Sequence, residues 1–319
     1  MRTAFRALIP SLCILLAAPA LGPSPRASES AQQSGDAIPG NGLIAYTDGT
    51  DLFTMRRDGT RVRRVPLPAE HRPGAPRWSP DGTKIVFNSD IDDETDIYIF
   101  NRKTGNTRAV IMTEGSDHSP DWSPDGKRLV YVSYRTGDDE LYIINLRTGA
   151  QRRLTNHPGL DVSPAWGPGG KFIAFTRCEP TGTKPEIHLR LCRIALYNLK
   201  RGTVRFLTPK PKQNRFGDRD PTWSPRGGWL AFVRVRDSGE FLVKMRSDGT
   251  GVKRLGRQAW CCPSWSPNGR RILYVRLLSG EYYHDEFLRM VRPDGSGDRR
   301  ITPRGEPDEW GPDWQPRPR

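Results

Sequence analysis

Six times along this chain a proline stands two residues before a tryptophan, and in five of those copies the tryptophan opens a turn of the type Ser-Pro-Asp-Gly or a close variant of it. The copies are Pro76-Arg77-Trp78-Ser79-Pro80-Asp81-Gly82, then Pro120 to Gly126, Pro164 to Gly170, Pro221 to Gly227 and Pro263 to Gly269, with a shortened Pro312-Asp313-Trp314-Gln315-Pro316 at the end. The tryptophans Trp78, Trp122, Trp166, Trp223, Trp265 and Trp314 follow one another at intervals of 44, 44, 57, 42 and 49 residues. A unit of that size cannot bury its own apolar face, so it must stack on copies of itself.

The chemistry of each unit predicts strands. In Ser-Pro-Asp-Gly the proline presets φ, the aspartate accepts from nearby backbone N–H groups, and the glycine takes the left-handed conformation that closes a hairpin. A short apolar run follows each turn, such as Ile85-Val86-Phe87, Leu129-Val130-Tyr131-Val132 or Leu230-Ala231-Phe232-Val233. These read as buried strands. A third run comes after a polar loop (Asp96 to Phe100, Leu141 to Ile144, Ile194 to Tyr197), and a glycine hairpin then leads to a basic fourth run such as Gln151-Arg152-Arg153-Leu154. With 29 Pro and 32 Gly among 319 residues, turns outnumber long helices, and the fold class is all-β.

The two ends complement each other. Trp314 has no strands after it, while Leu43 to Tyr46, Leu52 to Met55 and Arg61 to Val65 have no tryptophan before them. Joined, they complete a unit. The expected architecture is a six-bladed β-propeller of four-stranded antiparallel blades, closed by N- and C-terminal strands that share one blade and so leave no open sheet edge.

The repeated P-x-W-S-P-D-G resembles the TolB-type, WD40-like (PD40) six-bladed propeller repeat, over residues 41 to 319. TolB itself carries an α/β domain ahead of its propeller, and the resemblance therefore implies a relative that consists of the propeller and lacks that domain. Residues 1–27 read as a secretory signal, with Arg2 and Arg6 before an apolar run from Leu8 to Ala18 and cleavage after Ala20 or Ala27. The run is too short to span a bilayer. Residues 28–40 read as a flexible linker. The expected product is exported to the periplasm, cell envelope or extracellular space, monomeric and not membrane-spanning.

The formal charge of +14 becomes +12 once Arg2 and Arg6 are removed. Much of the excess recurs in the fourth run of each unit (Arg63-Arg64, Arg108, Arg152-Arg153, Arg205, Lys253-Arg254, Arg299-Arg300). Two readings compete: a solvated outer edge that discourages sheet-to-sheet pairing, or a belt for an anionic polymer. Nucleic acid is not expected, because the aromatic interleaving that stacks bases is missing there.

Function is expected on the propeller face that carries the long connections between blades and between second and third strands, since the opposite face has only short, uniform turns. Aromatics gather there: Phe216, Trp260, Tyr282, Tyr283 and Trp310, with His284 and Glu309 beside them. They read either as interface anchors and sugar platforms or as packing under the loops. The same face collects His71, His118 and His157, and the acids Asp117, Asp161, Asp218 and Asp220. His118 and His157 with Asp117 and Asp161 are the weak candidates for a metal site, and the acids for Ca²⁺. No other cofactor is expected. Cys178 and Cys192 are placed to staple a long loop as a disulfide, whereas adjacent Cys261 and Cys262 permit either a vicinal disulfide or two thiols. No G-x-S-x-G, H-E-x-x-H or phosphate-binding glycine loop occurs. The expected function is a binding scaffold for a protein or an anionic envelope polymer. The alternative is a metal-dependent, lyase-like enzyme acting on carbohydrate at the propeller mouth.

Overall fold

The tryptophan turns form as side-chain-locked hairpins. Ser79 Oγ donates to Asp81 Oδ1 at 2.6 Å and accepts from the Lys84 N–H at 2.9 Å, while Gly82 N–H closes the turn on the Ser79 carbonyl at 2.8 Å. Ser123, Asp125 and Arg128 repeat the arrangement. The third copy has Gly167 and Gly169 in place of the serine and the aspartate, and only the backbone bonds remain, Gly167 N–H to Phe172 O and Gly170 N–H to Gly167 O, both at 2.8 Å.

These hairpins organise a computed structural model that describes residues 42–91, 94–179, 190–211, 217–279, 284–302 and 310–316. Every regular element in it is a strand. The described chain opens with β1 (Ile44–Thr47), β2 (Leu52–Met55) and β3 (Arg63–Arg64). One antiparallel sheet follows in sequence order, β4 (Pro73–Trp78), β5 (Lys84–Ile91), β6 (Glu94–Asn101) and β7 (Thr107–Ile111), and then a second, β8 (Asp117–Trp122), β9 (Arg128–Ser133), β10 (Glu140–Asn145) and β11 (Gln151–Arg153). Next come β12 (Leu160–Trp166), β13 (Phe172–Glu179), β14 (Arg190–Asn198) and β15 (Thr203–Phe206), followed by β16 (Gly217–Trp223), β17 (Trp229–Arg236), β18 (Gly239–Arg246) and β19 (Lys253–Arg257). The last sheet holds β20 (Ala259–Trp265), β21 (Ile272–Ser279), β22 (His284–Val291) and β23 (Arg299–Arg300), and β24 (Trp310–Trp314) ends the series.

The two ends of the described chain meet. β24 pairs antiparallel with β1, Ile44 opposite Trp314 and Ala45 opposite Asp313, to give a sheet of order β24-β1-β2-β3. The Gln315 N–H donates to Leu43 O at 2.8 Å and the Leu43 N–H to Gln315 Oε1 at 3.1 Å. A strand whose own unit lacks an inner partner has taken the only tryptophan strand without a unit.

In one respect the pairing differs from the expected six separate blades. Four sheets have four strands each, but β12 to β19 form one eight-stranded sheet. Its halves are joined by a single parallel bridge, Cys192 opposite Gly217. The contact is so close that a Cβ on Gly217 would collide with the Cys192 carbonyl, and Gly217 also has φ +101°. The merger rests on a glycine that lets two backbones touch.

Every innermost strand carries the same kink. The residue just before the repeat proline is left-handed in all six, Ala75, Ser119, Ser163, Asp220, Cys262 and Gly311, with φ between 46° and 59°. In β4, β8, β12, β16 and β20 the register with the neighbouring strand shifts across that residue, as a β-bulge requires. The kink turns the tryptophan into the space between sheets. Trp166 packs with Val130, Leu141 and Ile143 of the sheet before it and with Ile173 and Phe175 of its own. Trp122 packs in the same way against Val86 and Ile99. The core is therefore a set of apolar layers between successive sheets, not one central mass.

Candidate functional site

The six kinked strands leave a cavity of about 200 Å³ along the axis, lined by the left-handed residues and by the residue between proline and tryptophan in each copy. In chain order those middle residues are Arg77, Asp121, Ala165, Thr222, Ser264 and Asp313. The repeat fixes proline and tryptophan for packing and leaves this position free, so charge enters the channel here. Asp121 Oδ2 accepts the Trp166 N–H at 2.6 Å, and Asp313 Oδ2 accepts the Trp78 N–H at 2.8 Å, each carboxylate reaching to the next tryptophan strand. Asp313 Oδ1 also accepts from Ser264 Oγ at 2.9 Å. On the wall below, Asp220 accepts from Ser163 Oγ at 2.8 Å and pairs with Arg219 at 3.0 Å.

Both axial carboxyls are displaced upward. Burial raises Asp121 to about 7, against the pull of Arg77 and with a further push from Asp313; burial likewise raises Asp313, with Arg77 opposing it. Asp96, on β6, is raised to about 6 by burial and by Asp117 and Glu94. A carboxyl that titrates higher folded than unfolded keeps its proton in the native state where the unfolded chain has already lost it. Its penalty is absent below about pH 4, grows as pH rises, and is complete above the folded value. Stability is thus expected to fall between about pH 4 and pH 7, and Asp121→Asn to flatten part of that slope. Urea melts at pH 4, 5.5 and 7 test this; a variant with the wild-type slope would refute it.

The sequence model of the PD40 family, described as the TolB beta propeller domain, matches residues 48–317. This chain belongs to that family. No curated protein sequence matches it. Among solved structures it is similar to TolB from Acinetobacter baumannii, at 26% identity and a TM-score of 0.74 over 88% of this chain and 68% of that one. A protein assigned to TolB from Agrobacterium tumefaciens is 22% identical with a TM-score of 0.64 over 82% and 88% of the two chains. An oligogalacturonate lyase in complex with manganese is 18% identical with a TM-score of 0.55 over 84% and 73%. The latter two likenesses are of fold alone.

The TolB-type propeller distributes the predicted site residues unevenly. Phe216, Tyr282, Tyr283 and Glu309 lie outside the described residues. His284 and Trp310, expected in loops, are the first residues of β22 and β24. His118 and Asp117 likewise begin β8, and Asp161 lies within β12. For Trp310, Asp117, His118 and Asp161 the reason is the bulge, which lets an innermost strand continue upstream of the repeat proline, across a point where an alternating pattern breaks off; His284 instead extends a third strand, opposite Ser279. Trp260, on β20, is partly buried against Cys261, Cys262 and the β21–β22 layer. The Arg219 guanidinium sits 5.5 Å from its ring and donates to its carbonyl at 2.6 Å, so this indole packs against blade structure and is not an open platform.

The acids are neither solvated nor gathered into a cage. Asp161 is buried and accepts two bonds from Arg177, at 2.7 and 2.6 Å; Asp218 accepts two from Arg234, at 2.7 and 2.9 Å; Asp117 lies 3.5 Å from Arg135. Each arginine comes from the second strand of its own sheet, or just past it, and covers the acid on the innermost strand. His118 Nε2 is 3.5 Å from Asp139 Oδ1 and its Nδ1 3.1 Å from Ser119 Oγ, while His157 Nδ1 accepts the Gly159 N–H at 3.0 Å. Burial lowers the pKa of His157, with Arg177 adding to the effect. Carboxylates already spent on arginines do not fit the shared oxygen shell that Ca²⁺ requires. Among the described residues no three His, Cys, Asp or Glu side chains cluster as metal ligands. Cys178 is joined to Cys192, with Cα atoms 4.0 Å apart, and Cys261 to Cys262. No described helix is long and apolar enough to cross a membrane.

Proposed function

We propose that this TolB-type propeller is an exported binding scaffold, monomeric and without a resident cofactor, that takes a protein or an anionic envelope polymer on its loop-rich face. In this reading residues 1–27 are a removed signal, 28–40 a linker and 41–319 a propeller of six blades, with β12–β15 and β16–β19 counted as two. The count is supported by the innermost strands β4, β8, β12, β16, β20 and β24, which touch in that order, with β24 returning to β4. The single observation that carries the function is the family match across residues 48–317. It is joined by the state of the polar groups: those that a metal-dependent enzyme would use are committed to pairs within their own blades. The likeness to oligogalacturonate lyase is one of fold, and among the described residues the lyase reading has no ligand set behind it.

The contact residues proposed are Phe216, Tyr282, Tyr283, His284, Glu309 and Trp310, with Trp260 as their support. Capture of a partner from cell-envelope extract is expected to drop at least about ten-fold, or 1.4 kcal/mol, in a Tyr283→Ala, Trp310→Ala double variant that keeps its melting temperature. Capture equal to wild type would sink the proposal. Stoichiometric Mn²⁺ binding that disappears in His118→Ala would favour the lyase reading instead.

A further inference from the structure

The short-turn face departs from its uniform pattern at one place, between β12–β15 and β16–β19, and there a groove of about 400 Å³ opens. Two adjacent turns have lost the carboxylate or amide oxygen that accepts from the motif serine in the others. Where Asp81, Asp125 and Asn268 stand in three copies of the motif, the third copy has Gly169 and the fourth Arg226. Gly167 replaces the motif serine as well, and it admits Trp223 so closely that a Cβ would lie 3.3 Å from the indole Cε2. Beyond Gly169 there is open space: a Cβ there would meet nothing within 4 Å.

The consequence is visible in the tryptophans. Trp78, Trp122, Trp166, Trp265 and Trp314 are buried, whereas Trp223 is only half-buried and forms part of the groove wall with Phe172 and Leu196. Lys171, Arg205 and Arg226 stand around this apolar floor, all exposed, and Arg205 is anchored by a 3.2 Å bond from Nη2 to the Ser247 carbonyl. Against three cations the lining holds one acid, Asp248, whose Oδ1 is held by Thr250 at 2.8 and 2.7 Å. An aromatic wall with an excess of positive charge suits an anion attached to an apolar ring face. Ser247 and Asp248, also in the lining, add acceptors for the several hydroxyl groups that a sugar carries.

We propose that this groove binds an acidic sugar, its ring over Trp223 and Phe172 and its carboxylate or phosphate among Lys171, Arg205 and Arg226. The site lies on the face opposite to the one proposed for the partner and stands or falls without it. The test is calorimetric titration of the full chain at low salt with glucuronate and glucose 6-phosphate, with glucose and inorganic phosphate as controls. Both acidic sugars are expected to bind at least about ten-fold tighter than either control. Gly169→Asp restores the motif carboxylate in open space, at a position without positive φ, and is expected to abolish that preference with the melting temperature unchanged. Arg226→Ala, at an exposed position, is expected to weaken binding several-fold and carries the test if the first variant does not fold. Equal affinity for inorganic phosphate and glucose 6-phosphate would leave a generic anion site and overturn the proposal. So would no preference over glucose, or a preference that survives both variants.

Discussion

Trp314→Ala is expected to destabilise the chain by about 3 to 5 kcal/mol, as large-to-small changes at buried aromatic positions do. The indole is buried among Ile44, Met55, Leu288, Met290 and Ile301, side chains drawn from both ends of the chain. Its strand supplies the partner of β1, and without that strand β1 would present an unpaired edge beside an apolar layer. The loss should therefore be cooperative, moving the whole unfolding transition without a separate early phase. Chemical denaturation followed by tryptophan fluorescence and by circular dichroism measures it. A loss below about 1 kcal/mol would mean that the closure is not a stabilising element.

Arg177→Ala should cost a comparable amount, about 3 kcal/mol or more, by a different mechanism. Arg177 is the bidentate partner of Asp161, whose side chain is 0% exposed, and its guanidinium also lies over the Phe175 ring at 5.4 Å. Deleting one member of such a pair leaves a buried charge without compensation. Burial already raises the Asp161 pKa with the arginine in place, and removing the arginine raises it further. Protonation then relieves the variant, so its deficit should be larger at pH 7 than at pH 4. An Asp161→Asn, Arg177→Met double variant should recover most of the loss. A deficit independent of pH, or a double variant as unstable as the single one, would contradict this account.

How much of this was legible without coordinates can be judged residue by residue. The turns were, because serine, proline, aspartate and glycine each do one local job there, and the Ser79–Asp81 bonds follow directly from it. The closing sheet was legible because an unmatched tryptophan strand and an unmatched strand pair are complementary. The extent of the innermost strands was not. Ala75, Ser119, Ser163, Asp220 and Cys262 occupy one backbone conformation and share no chemistry, so nothing in their identities announces a bulge. The acids just upstream consequently read as loop residues open to cations. A signal was present in the spacing: Asp161 and Arg177, and Asp218 and Arg234, are each 16 residues apart. Recurrent acid and arginine at one separation in a repeat protein indicates pairing within the unit. The merged sheet hangs on the single contact of Gly217 with Cys192, and no periodicity reports one contact. The groove above Trp223 was visible in principle, as glycines and an arginine where the other copies have serine and an acid or amide, once departures from a repeat are read with the same care as agreement.

The bond between Leu43 and Gln315 spans 272 positions of sequence, and this sets the timing of assembly. On the ribosome the earliest strands emerge with their finishing partner still to be translated. They must wait while more than two hundred residues are added, and the first sheet can close only once β24 has been made.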